Sequence, residues 1–142
     1  MLKRLLIIAL LATLLCGSLA LAGNRQVTVI LNSERPMTQG IALVLANQML
    51  EQGAQLKILL CDAAGDLALR DAPVMEPLKA NNLTPEQLLL GALQKGAVVE
   101  VCALYLPNAG KQAADLKDGV IPAKPPAIAA ELLQEDRDVL VF

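Results

Sequence analysis

Three stretches of the chain are short, nearly unbroken apolar runs rich in Val, Ile and Leu: Val27 to Leu31 (VTVIL), Leu56 to Cys61 (LKILLC) and Val98 to Leu104 (VVEVCAL). Runs with so few polar breaks are the pattern of strands covered on both faces, as parallel strands are. Gly119-Val120-Ile121 has room only for a short fourth strand, and Asp138 to Phe142 (DVLVF) reads as a fifth. Between the first two runs, Pro36 stands where a first helical residue belongs. Ile41, Leu45, Gln48 and Gln52 follow one line, Val44, Met49 and the alanines another, and Gly53 is a natural residue to end the helix.

The next helix carries its own start signal. Thr84, Pro85 and Gln87 form a T-x-x-Q capping box with proline at the first position, and the pattern runs through Leu88, Leu89, Ala92 and Leu93 to Gly96. After the third run, Tyr105 to Gly110 bends the chain, and a short helix is expected from about Lys111 to Leu116. Pro125-Pro126 opens a last helix, Ala127 to Gln134. The stretch from Leu67 to Leu83 contains Pro73, Pro77 and Asn81-Asn82 and reads as an irregular excursion with room for one helical turn. Strands alternating with helices through short loops imply right-handed crossovers and an α/β three-layer sandwich with a parallel sheet in the middle.

The first residues follow a different logic. Met1-Leu2-Lys3-Arg4 is a positive start, Leu5 to Leu15 is almost wholly apolar, and Ala20-Leu21-Ala22 is a small-x-small cleavage pattern. The expectation is a signal peptide over residues 1–22, removed on export to the periplasm or another extracytoplasmic space, with one domain over residues 23–142. A retained anchor is the alternative, because the apolar stretch is close to the length that spans a bilayer. Cys16 has Leu15 before it rather than the small residue a lipid-attachment site needs, and it leaves with the leader.

Charge then narrows the partners. Without Lys3 and Arg4, ten basic side chains face fourteen acidic ones, a formal net charge of −4, and the basic residues never form a run of three. That distribution argues against nucleic acid and against an anionic membrane surface once the leader is gone. Tyr105 and Phe142 are the whole aromatic content, so base-stacking platforms are excluded, and the chain has no histidine. Histidine-activated nucleophiles, histidine zinc sites and histidine pH switches are excluded with it. The loop after the first strand, NSERPMTQG, has neither a G-x-G-x-x-G spacing nor a Walker lysine. No cofactor and no metal are expected.

Chemistry in an open parallel sheet gathers beyond the carboxyl ends of the strands. Cys61 ends the second strand and Cys102 lies near the end of the third. In such positions a cysteine behaves as a small hydrophobe or as a reactive thiol. For Cys102 the bend at Pro107, Asn108 and Gly110 is expected to leave backbone N–H groups free, and the helix from Lys111 to add its positive end, both favouring a thiolate. Glu100 opposes it, standing two residues back on the same face at roughly 7 Å. A bridge between the two cysteines would close a loop of about 40 residues, worth roughly 4 kcal/mol, and requires the second and third strands to be neighbours. Asn32, Ser33 and Glu34 after the first strand and Asp62 after the second are further candidates to line the same cleft, with Asn108.

The segment GAVVEVCALYLPNAG (Gly96 to Gly110), preceded by LTPEQLLLGALQKG (Leu83 to Gly96) and followed by DLKDGVIPAKPPAIAAELL (Asp115 to Leu133), resembles the DsrE/DsrF-like (YchN-like) proteins of sulfur metabolism. The likeness runs over nearly the whole chain after the leader and is closest to an exported branch in which a Leu-Pro-Asn turn follows the cysteine. It implies a five-stranded parallel sheet of order 4-3-2-1-5 and assembly into homo-oligomers: dimers, trimers or hexamers. It also implies a cysteine that carries sulfur as a persulfide, at the position of Cys102, with a sulfur-relay partner protein. The implied order sets Cys61 next to Cys102, as a resolving or disulfide partner. Two functions follow: a thiol-based sulfur carrier or transferase acting through Cys102, and a non-catalytic oligomeric binding module with structural or bridged cysteines.

Overall fold

The computed structural model describes residues 25–80 and 82–142, so the expected leader, Cys16 and Asn81 lie outside the described residues. Five strands, β1 (Gln26–Leu31), β2 (Gln55–Leu60), β3 (Val98–Val101), β4 (Val120–Pro122) and β5 (Arg137–Val141), form one sheet of order β4-β3-β2-β1-β5. Every pairing in it is parallel. The sequence-based fold class and the strand order implied by the resemblance both hold.

Alternation along each strand assigns its side chains to two faces. Val27, Val29, Leu31, Leu56, Ile58, Leu60, Val99, Val101 and Val120 turn to one face, where they form the main core. The helices covering it are α1 (Pro36–Glu51) and α2 (Pro85–Gln94), which contribute Ala42, Leu43, Ala46, Leu88, Leu89 and Ala92. Small residues on α1 let the helices close on each other, and buried Asn47 ties them by donating to the carbonyls of Leu43 at 2.8 Å and Leu88 at 2.9 Å. The capping box at Thr84 forms as the sequence predicts: its hydroxyl accepts from Gln87 N, and the Gln87 side chain accepts from Thr84 N.

On the opposite face lies the short helix α4 (Pro125–Leu132), whose Ile128 and Leu132 pack with Ile30, Leu59, Cys61 and Ala123. A buried ion cluster anchors it. Lys57 of β2 donates to Glu100 of β3 at 2.9 Å and to Glu131 of α4 at 2.7 Å, with the lysine side chain only 12% exposed. Burial by itself lowers the Lys57 ammonium, but the hydrogen bonds to Glu131 and Glu100 outweigh it and hold the group above its ordinary range.

One element departs from the sequence reading. Instead of a helix over Lys111 to Leu116, the chain turns immediately off β3 into the single turn α3 (Tyr105–Asn108), and Ala113–Asp115 forms a 3-10 turn. Pro107 is tolerated because it falls in a first turn, whose N–H groups have no intrahelical partner. Gly110, at φ +64°, ends the turn. The Asp115 carboxylate then accepts from Gln112 N at 2.7 Å, and Leu116 runs extended into an antiparallel bridge with Leu69, so no helix can propagate. The Leu67 to Leu83 excursion is irregular beyond the 3-10 segment Asp62–Ala68 that opens it.

The ion cluster yields a first test. Lys57→Ala leaves Glu100, 8% exposed, without its cation, and is expected to cost about 3–5 kcal/mol in urea unfolding. The double variant Lys57→Met/Glu100→Leu, which removes both charges, is expected to recover most of that loss.

Candidate functional site

The β2–β3 ladder ends at the pair Leu60↔Val101, and Cys102 N donates to Leu60 O at 2.7 Å. On the other side Cys61 N donates to Leu31 O at 2.8 Å. Each cysteine is thus the next residue of its strand beyond that last pair. Both are free, half-buried thiols, and the Cys61 side chain is in hydrogen-bonding contact with Cys102. Neighbouring strands were the condition for a bridge, and the sheet meets it.

The two thiols are not equivalent. Burial, followed by the hydrogen bond and charge of Cys102 and the charge of Asp62, pushes the Cys61 thiol from its ordinary 9.0 up to about 12. At neutral pH Cys61 therefore keeps its proton and can donate it in a hydrogen bond to a sulfur on Cys102.

Cys102 lines a cleft of about 460 Å³ at the carboxyl end of the sheet, together with Asp62, Ala63, Leu104, Tyr105, Asn108 and Ala109. Of the five cleft candidates read from sequence, Asp62 and Asn108 are in its wall. Asp62, with φ +47°, makes the sharp exit from β2. Asn32, Ser33 and Glu34 are not in the wall: Asn32 N pairs with Phe142 O at 2.9 Å, and Ser33 serves the start of α1, its hydroxyl accepting from Arg35 N at 3.1 Å and its carbonyl from Gln39 Nε2 at 2.8 Å.

The expected support for a thiolate also changes. Ala109 N and Lys111 N donate to the carbonyls of Tyr105 and Leu106, both at 2.8 Å, and the Asn108 side chain donates to Leu104 O at 2.6 Å. The bend uses its own donors, and the helix expected at Lys111 is absent. Glu100, expected to oppose a thiolate with a bare negative charge, has that charge offset by Lys57.

Tyr105 is the wall residue that sequence reasoning passed over. Its hydroxyl donates to Asp66 Oδ1, linking the loop after β3 to the segment after β2. Burial first, then this bond and the Asp66 charge, raise the phenol well above its ordinary range, so it remains a donor. Gly65 permits the contact, since a Cβ there would lie 2.4 Å from the Tyr105 ring. The available signal was that the only tyrosine of the chain stands three residues after Cys102. Among the described residues, no three His, Cys, Asp or Glu side chains are grouped to hold a metal ion, and no helix is long and apolar enough to cross a membrane.

No family model and no curated protein matches the sequence. Solved structures do. The ychN protein from E. coli superposes with a TM-score of 0.68 at 23% identity, over 83% of this chain and 99% of that one. A conserved protein of unknown function from Bacteroides thetaiotaomicron superposes with a TM-score of 0.64 at 18% identity, over 83% of this chain and 95% of its own. The chain therefore has the fold of the ychN protein.

The inequality of the thiols is measurable. The raised Cys61 value favours the folded state in full below about pH 9, and this contribution is lost as pH climbs towards about 12. With iodoacetamide at pH 8, Cys102 is expected to react at least about tenfold faster than Cys61. The Cys61 rate should keep rising to about pH 12 in peptide mass mapping; equal rates at pH 8 would contradict the assignment.

Proposed function

We propose that the protein is a thiol-based sulfur carrier in which Cys102 holds a sulfane sulfur as a persulfide. The observation that carries this reading is the placement of Cys102 in the wall of an open cleft, with a second, protonated thiol in contact with it. A persulfide has a reactive outer sulfur and needs room for an acceptor, which the cleft offers. Cys61 gives the bound sulfur a second exit. As its proton passes to the leaving group, the Cys61 sulfur attacks the inner sulfur of the Cys102 persulfide: the persulfide S–S bond breaks, the Cys61–Cys102 disulfide forms and hydrogen sulfide leaves, the sulfane sulfur being reduced to sulfide as the two cysteines are oxidised to the disulfide. Cys61 is thus the resolving partner. The fold shared with the ychN protein supports the DsrE/DsrF-like resemblance of Gly96 to Gly110, and it is from that resemblance that this reading takes sulfur as the cargo.

Within this reading the protein works outside the cytoplasm, in keeping with its leader pattern, as a homo-oligomer that hands sulfur to a partner protein. Assembly is supported by Met37, Ile41 and Leu45, which repeat every four residues along the outer side of α1 and are all exposed. That stripe also favours the second reading, a non-catalytic oligomeric binding module whose cysteines are structural or bridged.

Incubation of the reduced protein with inorganic polysulfide separates the two. The carrier reading expects a mass gain of one sulfur atom mapped to Cys102, absent in Cys102→Ser, and a longer-lived adduct in Cys61→Ser. If wild type gains no sulfur and Cys102→Ser keeps its assembly state in light scattering, the binding-module reading stands instead. A thiol titration of the natively exported protein that finds no free thiols also favours the second.

A further inference from the structure

Among the described residues, Cys102 stands in the walls of two cavities. Besides the cleft it lines a second hollow of about 300 Å³, enclosed by Leu59 of β2, Leu104 and Ala123 from the loops, and Ile128, Ala129 and Leu132 of α4. Leu59, Ala123 and Ile128 are buried and make its floor, while Leu104, 71% exposed, stands as the ridge between hollow and cleft. Apart from the Cys102 thiol, no polar or charged side chain among the described residues lines it. Its helical wall is held to the sheet by the Glu131–Lys57 bond at 2.7 Å.

This lining selects a ligand by chemistry. A sugar, nucleotide or peptide backbone placed there would lose its hydration and find no side-chain partner, at a cost of kilocalories per group. An aliphatic chain loses nothing of the kind, and the hollow has the size of the smaller ligand pockets. The thiol at its end exchanges with sulfur. We propose that the hollow binds the alkyl chain of an aliphatic persulfide or thiol, seated with its sulfur against Cys102. The proposal rests on the carrier reading and names its low-molecular-weight substrate. The Cys102 thiolate attacks the outer sulfur of R–S–S–H and the S–S bond breaks. R–S⁻ leaves and takes up the proton given by Cys102, so that Cys102–S–S–H and R–S–H are formed. One sulfane sulfur moves and nothing is oxidised or reduced overall.

Alkyl methanethiosulfonates, which deliver R–S to a thiolate, test the hollow directly. With methyl, propyl and pentyl reagents, the rate of adduct formation at Cys102 is expected to rise roughly threefold per methylene. Ala129 is exposed on α4, so Ala129→Gln should fold normally. It puts a neutral polar group at the hollow and is expected to cut the gradient to below about 1.5-fold per methylene, leaving the methyl reagent within about twofold. A flat gradient in wild type, as when a second copy or a partner protein covers the hollow, overturns the proposal, and so does a gradient unchanged by Ala129→Gln. Sulfur uptake from polysulfide with a flat gradient removes the alkyl site and keeps the carrier. A steep gradient without sulfur uptake keeps the alkyl site and removes the carrier, and a Cys102 silent to every reagent removes both.

Discussion

Pairing Leu60 with Val101 in a parallel ladder leaves the next residue of each strand, Cys61 and Cys102, side by side where both chains leave the sheet. The period of a strand is two, so a slip of one residue would turn one cysteine to the opposite face and separate the thiols. What prevents the slip is burial on both faces. Ile58, Leu60, Val99 and Val101 are fully enclosed under α1 and α2, while Leu59 packs against α4. The contact between the thiols is therefore a by-product of packing the core.

The same strands bring charge into the interior. Glu100 and Glu131 share one ammonium, and among the described residues each leaves one buried oxygen without a hydrogen-bond partner. An arrangement of this kind contributes little net stability, because desolvation offsets the Coulomb attraction. Its structural effect is directional: it joins β2, β3 and α4 at one point. The position of α4 in turn shapes the apolar hollow beside Cys102.

The cleft shows how two loops become one wall. Tyr105 reaches from the turn after β3 to Asp66 in the segment after β2, over a glycine that leaves space for the ring. Among the described residues that line the cleft with Cys102, none is cationic. Cys61, held protonated at neutral pH, stands beside Cys102 as a hydrogen-bond donor.

Much of this was readable from the chain alone. Nearly unbroken apolar runs named the strands, because a strand covered on both faces has room for few polar residues, each needing a partner as Lys57 and Glu100 do. Thr84-Pro85 and Pro36 named helix starts, because capping and proline act within one turn. The short region after β3 was misread for the converse reason: Lys111 to Leu116 has no strong local preference, and the bridge from Leu116 to Leu69 drew it into extended form. Pairs distant in sequence depend on register and on helix placement, which no local pattern encodes. Lys57 with Glu100 and Glu131, Tyr105 with Asp66, and the exclusion of Asn32 and Ser33 from the wall belong to that class. Two cysteines at strand ends were legible from sequence; their contact, their unequal ionisation and the apolar hollow beside one of them were decided by tertiary structure, since each depends on what the folded chain places around a sulfur atom.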